Sequence, residues 1–214
     1  MARTTPVSVT GAVNMSECMA HLGESLPPTA IVTNGAGNFA AWLHRFHRHR
    51  AMHTQLAPTS GAMGYGYPAA IAAKSVHPDR DVICIAGDGD YLMGVSALWT
   101  AANARIPLLI IVANNRSFFN DELHQERVAR DRSRPIENRW IGQRIDDPAP
   151  DLAGLARAQG LTGFGPVSEP AELVGVLRNA VEIVRAGGSV VVDVHVTPGY
   201  SPAMSSGMTR SHDD

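Results

Sequence analysis

The sequence predicts an α/β domain built on a doubly wound, mainly parallel sheet with helices on both faces. Three observations predict it. The runs Val82-Ile83-Cys84-Ile85-Ala86 and Leu108-Leu109-Ile110-Ile111-Val112-Ala113 are apolar at every position, unlike a strand covered on one face only. A helical pattern lies between them, giving the strand–helix–strand order of a parallel crossover. A third run, Ala30-Ile31-Val32-Thr33, leads into Asn34-Gly35-Ala36-Gly37-Asn38 and then a helix. Free backbone N–H groups at such a junction suit a phosphate.

The elements follow in order. Residues 1–13 read as a leader. The spacing of Met15, Cys18, Met19, Leu22 and Leu26 predicts a helix over 14–25, closed by Pro27-Pro28. After the strand at 30–33 comes a helix over 39–46. Ser60-Gly61-Ala62-Met63-Gly64-Tyr65-Gly66-Tyr67-Pro68 is a loop that becomes the small-residue helix 69–73, able to pack close to another backbone. A turn at 77–80 precedes the strand that ends at Asp88. Residues 91–104 read as one helix with Leu92, Val95, Leu98 and Trp99 on its apolar face. Pro107 starts the strand that ends in Asn114-Asn115.

Residues 116–150 are polar and rich in Arg, Asp and Glu, and predict an active-site or interface loop containing a short helix. A helix over 151–159, a short strand at 161–164, an amphipathic helix over 171–185 and a last strand over 189–196 complete the domain, taken as 14–197. Residues 198–214 read as a tail. His195 falls within the last strand and reads as structural.

A chain of 214 residues supports one such domain and not two large ones. Its net charge of -2 argues against a nucleic-acid partner held by bulk electrostatics. The first residues lack the apolar stretch of a signal peptide, and no run is long enough to span a bilayer. A cytoplasmic protein without a membrane partner is expected. Cys18 and Cys84 are too few for a disulfide framework, and Cys84 reads as a small buried hydrophobe.

Two buried strands thus each deliver an oxygen ligand at their carboxyl ends, the Asp88 carboxylate and an amide of Asn114-Asn115. Hard cations such as Mg2+ take such donors when they also carry phosphates, and parallel sheets place ligands beyond these strand ends. Gly87-Asp88-Gly89 alone also reads as a turn. The run 44–50, rich in His and Arg, fits a solvated helix end or an intersubunit surface better than a metal cluster or a nucleic-acid patch.

Taken together, Gly35-Ala36-Gly37-Asn38, the loop from Ser60 to Ala70, Gly87-Asp88-Gly89 and Asn114-Asn115 resemble the diphosphate-binding domain of thiamine-diphosphate enzymes. The similar superfamily is that of acetolactate synthase, pyruvate decarboxylase and benzoylformate decarboxylase. The resemblance covers roughly residues 14–197, and the separation of Asp88 from Asn115 matches the family's spacing. It implies that Asp88, Asn115 and the backbone carbonyl of Ser117 bind Mg2+. Gly35, Gly37, Asn38, Gly87, Gly89 and Asp90 would line the thiamine diphosphate, although many relatives carry a small residue in place of Asp90. That carboxylate has to turn away from the diphosphate or meet a cation. Backbone groups of Gly61 and Met63 would hold the aminopyrimidine. The Met63 side chain would wedge beneath the cofactor and bend it, bringing its amino group to the reactive thiazolium carbon.

The resemblance also places Asp121, Glu122 and His124 toward the substrate, where they would shuttle protons. Equally, they could only cap or solvate a helix. Tyr67, Phe118 and Phe119 are expected to shape the pocket. The glutamate that activates the pyrimidine lies in a separate domain of the family, and Glu17 and Glu24, outside any motif, read as solvated. The implied protein is the cofactor-binding subunit of a split decarboxylase or carboligase acting on a 2-oxo acid. Its partner would be a separate pyrimidine-binding-domain subunit, in a hetero-oligomer with at least two copies of each half. The alternative is a non-catalytic cofactor-binding or scaffolding subunit of such a complex.

Overall fold

The computed structural model describes Val13 and residues 15–196. The expected leader, Val13 apart, and the expected tail lie outside the described residues. So does the side chain of Glu17, whereas Glu24 is exposed.

Six strands form one sheet: β1 (Ile31–Asn34), β2 (Gln55–Leu56), β3 (Val82–Gly87), β4 (Leu109–Asn114), β5 (Thr162–Val167) and β6 (Val190–His195). Their order is β2-β1-β3-β4-β6-β5, and every pairing is parallel. Alternate residues of the buried strands feed two cores, as the two-residue repeat of a strand requires. Val32, Ile83, Ile85, Leu109 and Ile111 pack with α1 (Met15–Ser25), α2 (Ala40–Phe46) and α8 (Pro170–Arg185). Ile31, Val82, Cys84, Ile110 and Val112 pack on the other face with α3 (Gly66–Val76), α5 (Ala97–Asn103) and α7 (Leu152–Ala158). The doubly wound α/β prediction therefore matches the molecule.

From β1 the chain passes outward to β2, then returns to place β3 on the other side of β1. The strand order thus reverses between β1 and β3, and such a switch point leaves a crevice at the carboxyl ends. Asn34-Gly35 and Gly87-Asp88 meet there. No helix among the described residues is long and apolar enough to cross a membrane.

Several local expectations need correction. The single helix over 91–104 is two, α4 (Asp88–Leu92) and α5, separated around Gly94. A Cβ on Gly94 would lie 2.7 Å from the Tyr67 hydroxyl and 3.3 Å from the Gly64 carbonyl, so the chain bends where it touches its neighbours. Trp99 is 58% exposed and not on the buried face, which belongs to Leu98 and Ala101. Strand β3 stops at Gly87 and Asp88 opens α4, while α3 begins at Gly66, ahead of its alanine run. Strand β2 is too short to leave a periodic signal. The polar stretch after β4 holds α6 (Phe119–Asp131), 13 residues long with only Glu122 fully buried. At the basic run, the Arg50 guanidinium donates to the Leu26 carbonyl at 2.6 Å, tying the chain after α2 to the end of α1.

Candidate active site

Asp88 is 3% exposed and is held by backbone donors alone. Its Oδ1 accepts the Gly89 N–H at 2.9 Å and its Oδ2 accepts the Ser117 N–H at 3.0 Å. Burial pushes its pKa up to about 6, against the pull of these N–H groups. The Asn115 Oδ1 accepts the same Ser117 N–H at 3.0 Å. Two oxygens sharing one donor cannot lie farther apart than twice that distance, so the ends of β3 and β4 converge as the sequence suggested.

The turn that achieves this is built by the other asparagine. Asn114 Oδ1 accepts the Arg116 N–H at 3.1 Å, and Arg116 adopts φ 58°, a left-handed conformation unusual outside glycine. Asn114 Nδ2 donates to Asp193 Oδ1 on β6 at 3.0 Å, and Asp193 is 3% exposed. Beyond the turn, the Ser117 hydroxyl donates to Glu122 Oε1, whose carboxylate also meets Arg144 Nε at 2.8 Å. Phe118 N–H bonds to Gln143 O and Ile145 N–H to Arg116 O, both at 2.9 Å, so residues 143–145 are stitched to the turn after β4.

Asp88, Asn115 and Ser117 border a cavity of about 250 Å³. Gly37, Asn38, Gly61 and Met63 line it from the β1 side and the loop before α3. Gly87, Asp88, Gly89, Asp90, Asn115, Ser117 and Asp121 line it from β3 and β4. Glu122 is buried behind that wall with Ser117 and Arg144, and His124 is exposed on α6 outside the lining. Tyr67, expected to shape the pocket, is fully buried in the core and donates to the Tyr91 carbonyl at 2.8 Å. Phe118 and Phe119 do line it. Phe39, Asn120 and the buttresses Asp193 and Arg144 were not foreseen. A lone carboxylate in Val190-Val191-Val192-Asp193-Val194 was the available signal for one of them.

Asp90 answers the question of where its charge goes. It is 1% exposed, and its Oδ1 accepts the Gly64 N–H at 2.6 Å. Oδ2 is buried without a hydrogen-bond partner, although the Ala36 and Gly87 N–H groups ease its charge from nearby. Burial raises its pKa to about 6. Gly35 stays out of the lining but lies directly behind: a Cβ there would sit 1.9 Å from Asp90 Oδ2.

Among the described residues, no group of three or more His, Cys, Asp or Glu side chains could hold a metal ion. The donors at this site are one carboxylate, one amide and the Ser117 backbone. A cation here would draw its remaining ligands from a bound anion, which suits a phosphate-carrying cofactor.

Known proteins are similar to this chain over most of its length. The family described as thiamine pyrophosphate enzyme, C-terminal TPP binding domain, matches residues 35–194. The acetolactate synthase large subunit of Pyropia yezoensis is 31% identical over 195 residues, covering 86% of this chain and 31% of that protein. Acetolactate synthase isozyme 3 large subunit of Escherichia coli K12 is 35% identical over 136 residues, 64% of this chain and 22% of that protein. Among solved structures, the thiamine diphosphate-dependent 4-hydroxybenzoylformate decarboxylase of Rhodococcus jostii RHA1 superposes with a TM-score of 0.78 at 25% identity. The match covers 92% of this chain and 35% of that one. The chain spans about a third or less of the length of these relatives.

Proposed function

The chain belongs to the thiamine pyrophosphate enzymes, as a C-terminal TPP binding domain, and from that premise we propose that it is the cofactor-binding half of a split enzyme acting on a 2-oxo acid. Asp88, Asn115 and the Ser117 carbonyl would hold Mg2+, and the ion would hold the diphosphate. The observation that carries this reading is the shared Ser117 N–H, which gathers the Asp88 and Asn115 oxygens at a cavity that Met63 also lines.

When bound, thiamine diphosphate supplies a nucleophilic thiazolium carbon and an electron sink for breaking the bond to a carboxylate. The protein's share is placement. Backbone groups of Gly37 and Asn38, with those of Gly89 and Asp90, would hold the diphosphate. Gly61 and Met63 would hold the pyrimidine, with the Met63 side chain wedged beneath the cofactor. Phe39 and Phe118 exclude water from the glycine backbone, since a Cβ on Gly87 or Gly89 would collide with their rings at 2.8 and 2.2 Å. Of the three residues Asp121, Glu122 and His124, Asp121 lines the cavity and would exchange protons with substrate, while Glu122 would act by fixing Ser117. The activating glutamate would come from a partner subunit carrying the pyrimidine-binding domain, in an assembly with at least two copies of each half. Intact metal donors speak against a purely scaffolding role.

Calorimetric titration with thiamine diphosphate and Mg2+, with and without a pyrimidine-domain partner, tests the proposal. Metal-dependent binding that Asp88→Ala abolishes is expected. Absence of binding even in the mixture would end the catalytic reading.

A further inference from the structure

We propose that Asp90 is a positioning residue that clasps the Met63 loop to the diphosphate end of the cavity, and that Gly35 is the residue that makes room for it. The clasp joins three parts of the chain. Asp90 lies in α4, two residues after the Asp88 that opens it; Gly35 follows β1; Gly64 directly follows Met63. The Asp90 Oδ1 takes the Gly64 N–H at 2.6 Å, and Gly64 has φ +77°, a conformation that aims this N–H into the clasp at a cost for any other residue.

Backbone pairing does little else for the loop. Gly61 N–H reaches Pro58 O only at 3.4 Å, at the limit of hydrogen bonding. On the far side, Gly94 approaches so closely that a Cβ there would lie 3.3 Å from the Gly64 carbonyl. Gly64 is thus held through its N–H and closely bordered by Gly94 at its carbonyl, and Met63 is its chain neighbour.

Gly35 completes the fit. A Cβ at that position would fall 1.9 Å from Oδ2, 2.2 Å from Oδ1 and 2.3 Å from Cγ of Asp90, so the carboxylate fills the space a side chain would need. A buried carboxylate oxygen without a partner destabilises a fold and calls for a reason. Holding the wedge loop in register with the diphosphate seat is such a reason. It also explains how a second acid sits beside a diphosphate site: its oxygens are directed to Gly64 and Gly35.

The clasp is independent of any ligand; what it positions rests on the cofactor reading above. The test has three arms on the full chain. In the absence of ligand, Asp90→Ala should speed amide hydrogen exchange at Gly64 by roughly tenfold or more, with Asp90→Asn, which keeps an acceptor, intermediate. In thermal melts, Gly35→Ala should lower Tm markedly in the wild-type background and little in the Asp90→Ala background. Unchanged exchange at Gly64, or an equal Gly35→Ala penalty in both backgrounds, would overturn the clasp. In the third arm, with a pyrimidine-domain partner, Asp90→Ala should weaken thiamine diphosphate with Mg2+ while leaving inorganic pyrophosphate with Mg2+ as tight or tighter. Equal weakening of both would overturn the positioning role. Because the first two arms need no cofactor, they judge the clasp even if the wild-type chain binds no thiamine diphosphate, a result that would fall on the functional reading instead.

Discussion

Asn114 Nδ2 donates to Asp193 Oδ1 at 3.0 Å, linking β4 to β6 one step behind the proposed metal seat. The partners fix the amide's orientation without ambiguity. A carboxylate accepts only from the NH2, and the Arg116 N–H donates only to the oxygen. Asp193 therefore sets the turn that delivers the Ser117 N–H to Asp88 and Asn115. Asp193→Ala should lower the affinity for Mn2+, titrated with thiamine diphosphate, by roughly 10–100-fold, the usual cost of losing an outer-sphere support. Asp193→Asn, which can still accept, should recover most of it.

Asp88 should trade stability for binding. Its folded pKa of about 6 stands above the ordinary 3.8, so the unfolded chain releases this proton first as pH rises. The metal-free protein should accordingly lose stability between about pH 4 and 6 and level off above, by on the order of 3 kcal/mol from this carboxylate. Asp88→Asn should reduce that slope, leaving the share of Asp90, whose pKa is raised to about 6 as well, and should raise the metal-free Tm at pH 7 while removing Mg2+-dependent binding. A steeper slope in the variant, read from denaturant melts across this range, would contradict the assignment.

Asp121, Glu122 and His124 should separate by position. Glu122→Ala leaves the Ser117 hydroxyl and half-exposed Arg144 without their partner. A loss of about 1–3 kcal/mol in urea melts is expected, with faster proteolysis near 143–145. Asp121→Ala should leave the melt alone and reduce turnover of the assembled enzyme. His124→Ala, exposed and outside the lining, should change neither.

The isolated chain should show little or no decarboxylation of 2-oxo acids, and adding a subunit with the pyrimidine-binding domain should restore it. Robust CO2 release by the chain alone would contradict a split site.

The strand ends were legible because buried parallel strands are apolar throughout, so the first polar residue after each run stands out. Asp88 and the pair Asn114-Asn115 stand out that way, whereas the choice of Asn115 within the pair rests on the family resemblance. Burial of Asp193 was legible in principle, but its partner lies on a strand far away in sequence, and pairing order leaves no local mark. The apolar spacing continues through Gly94 and so predicts one helix; the break there coincides with a poor helix former and with the close approach of Tyr67 and Gly64. Trp99 shows the converse: periodicity places a side chain on a face without saying whether anything covers it. The destination of the Asp90 carboxylate depended on the missing side chain of Gly35, which no motif displays.

The proposed donors for the ion sit at the tips of the two innermost strands, walled by neighbours to either side and cores above and below. Opening fluctuations begin at the rims, here the two-residue β2 and the sparsely packed α6. Gentle warming should therefore shed the cavity's outer cover while its anchor survives, leaving material that has gone silent yet can be recharged on cooling.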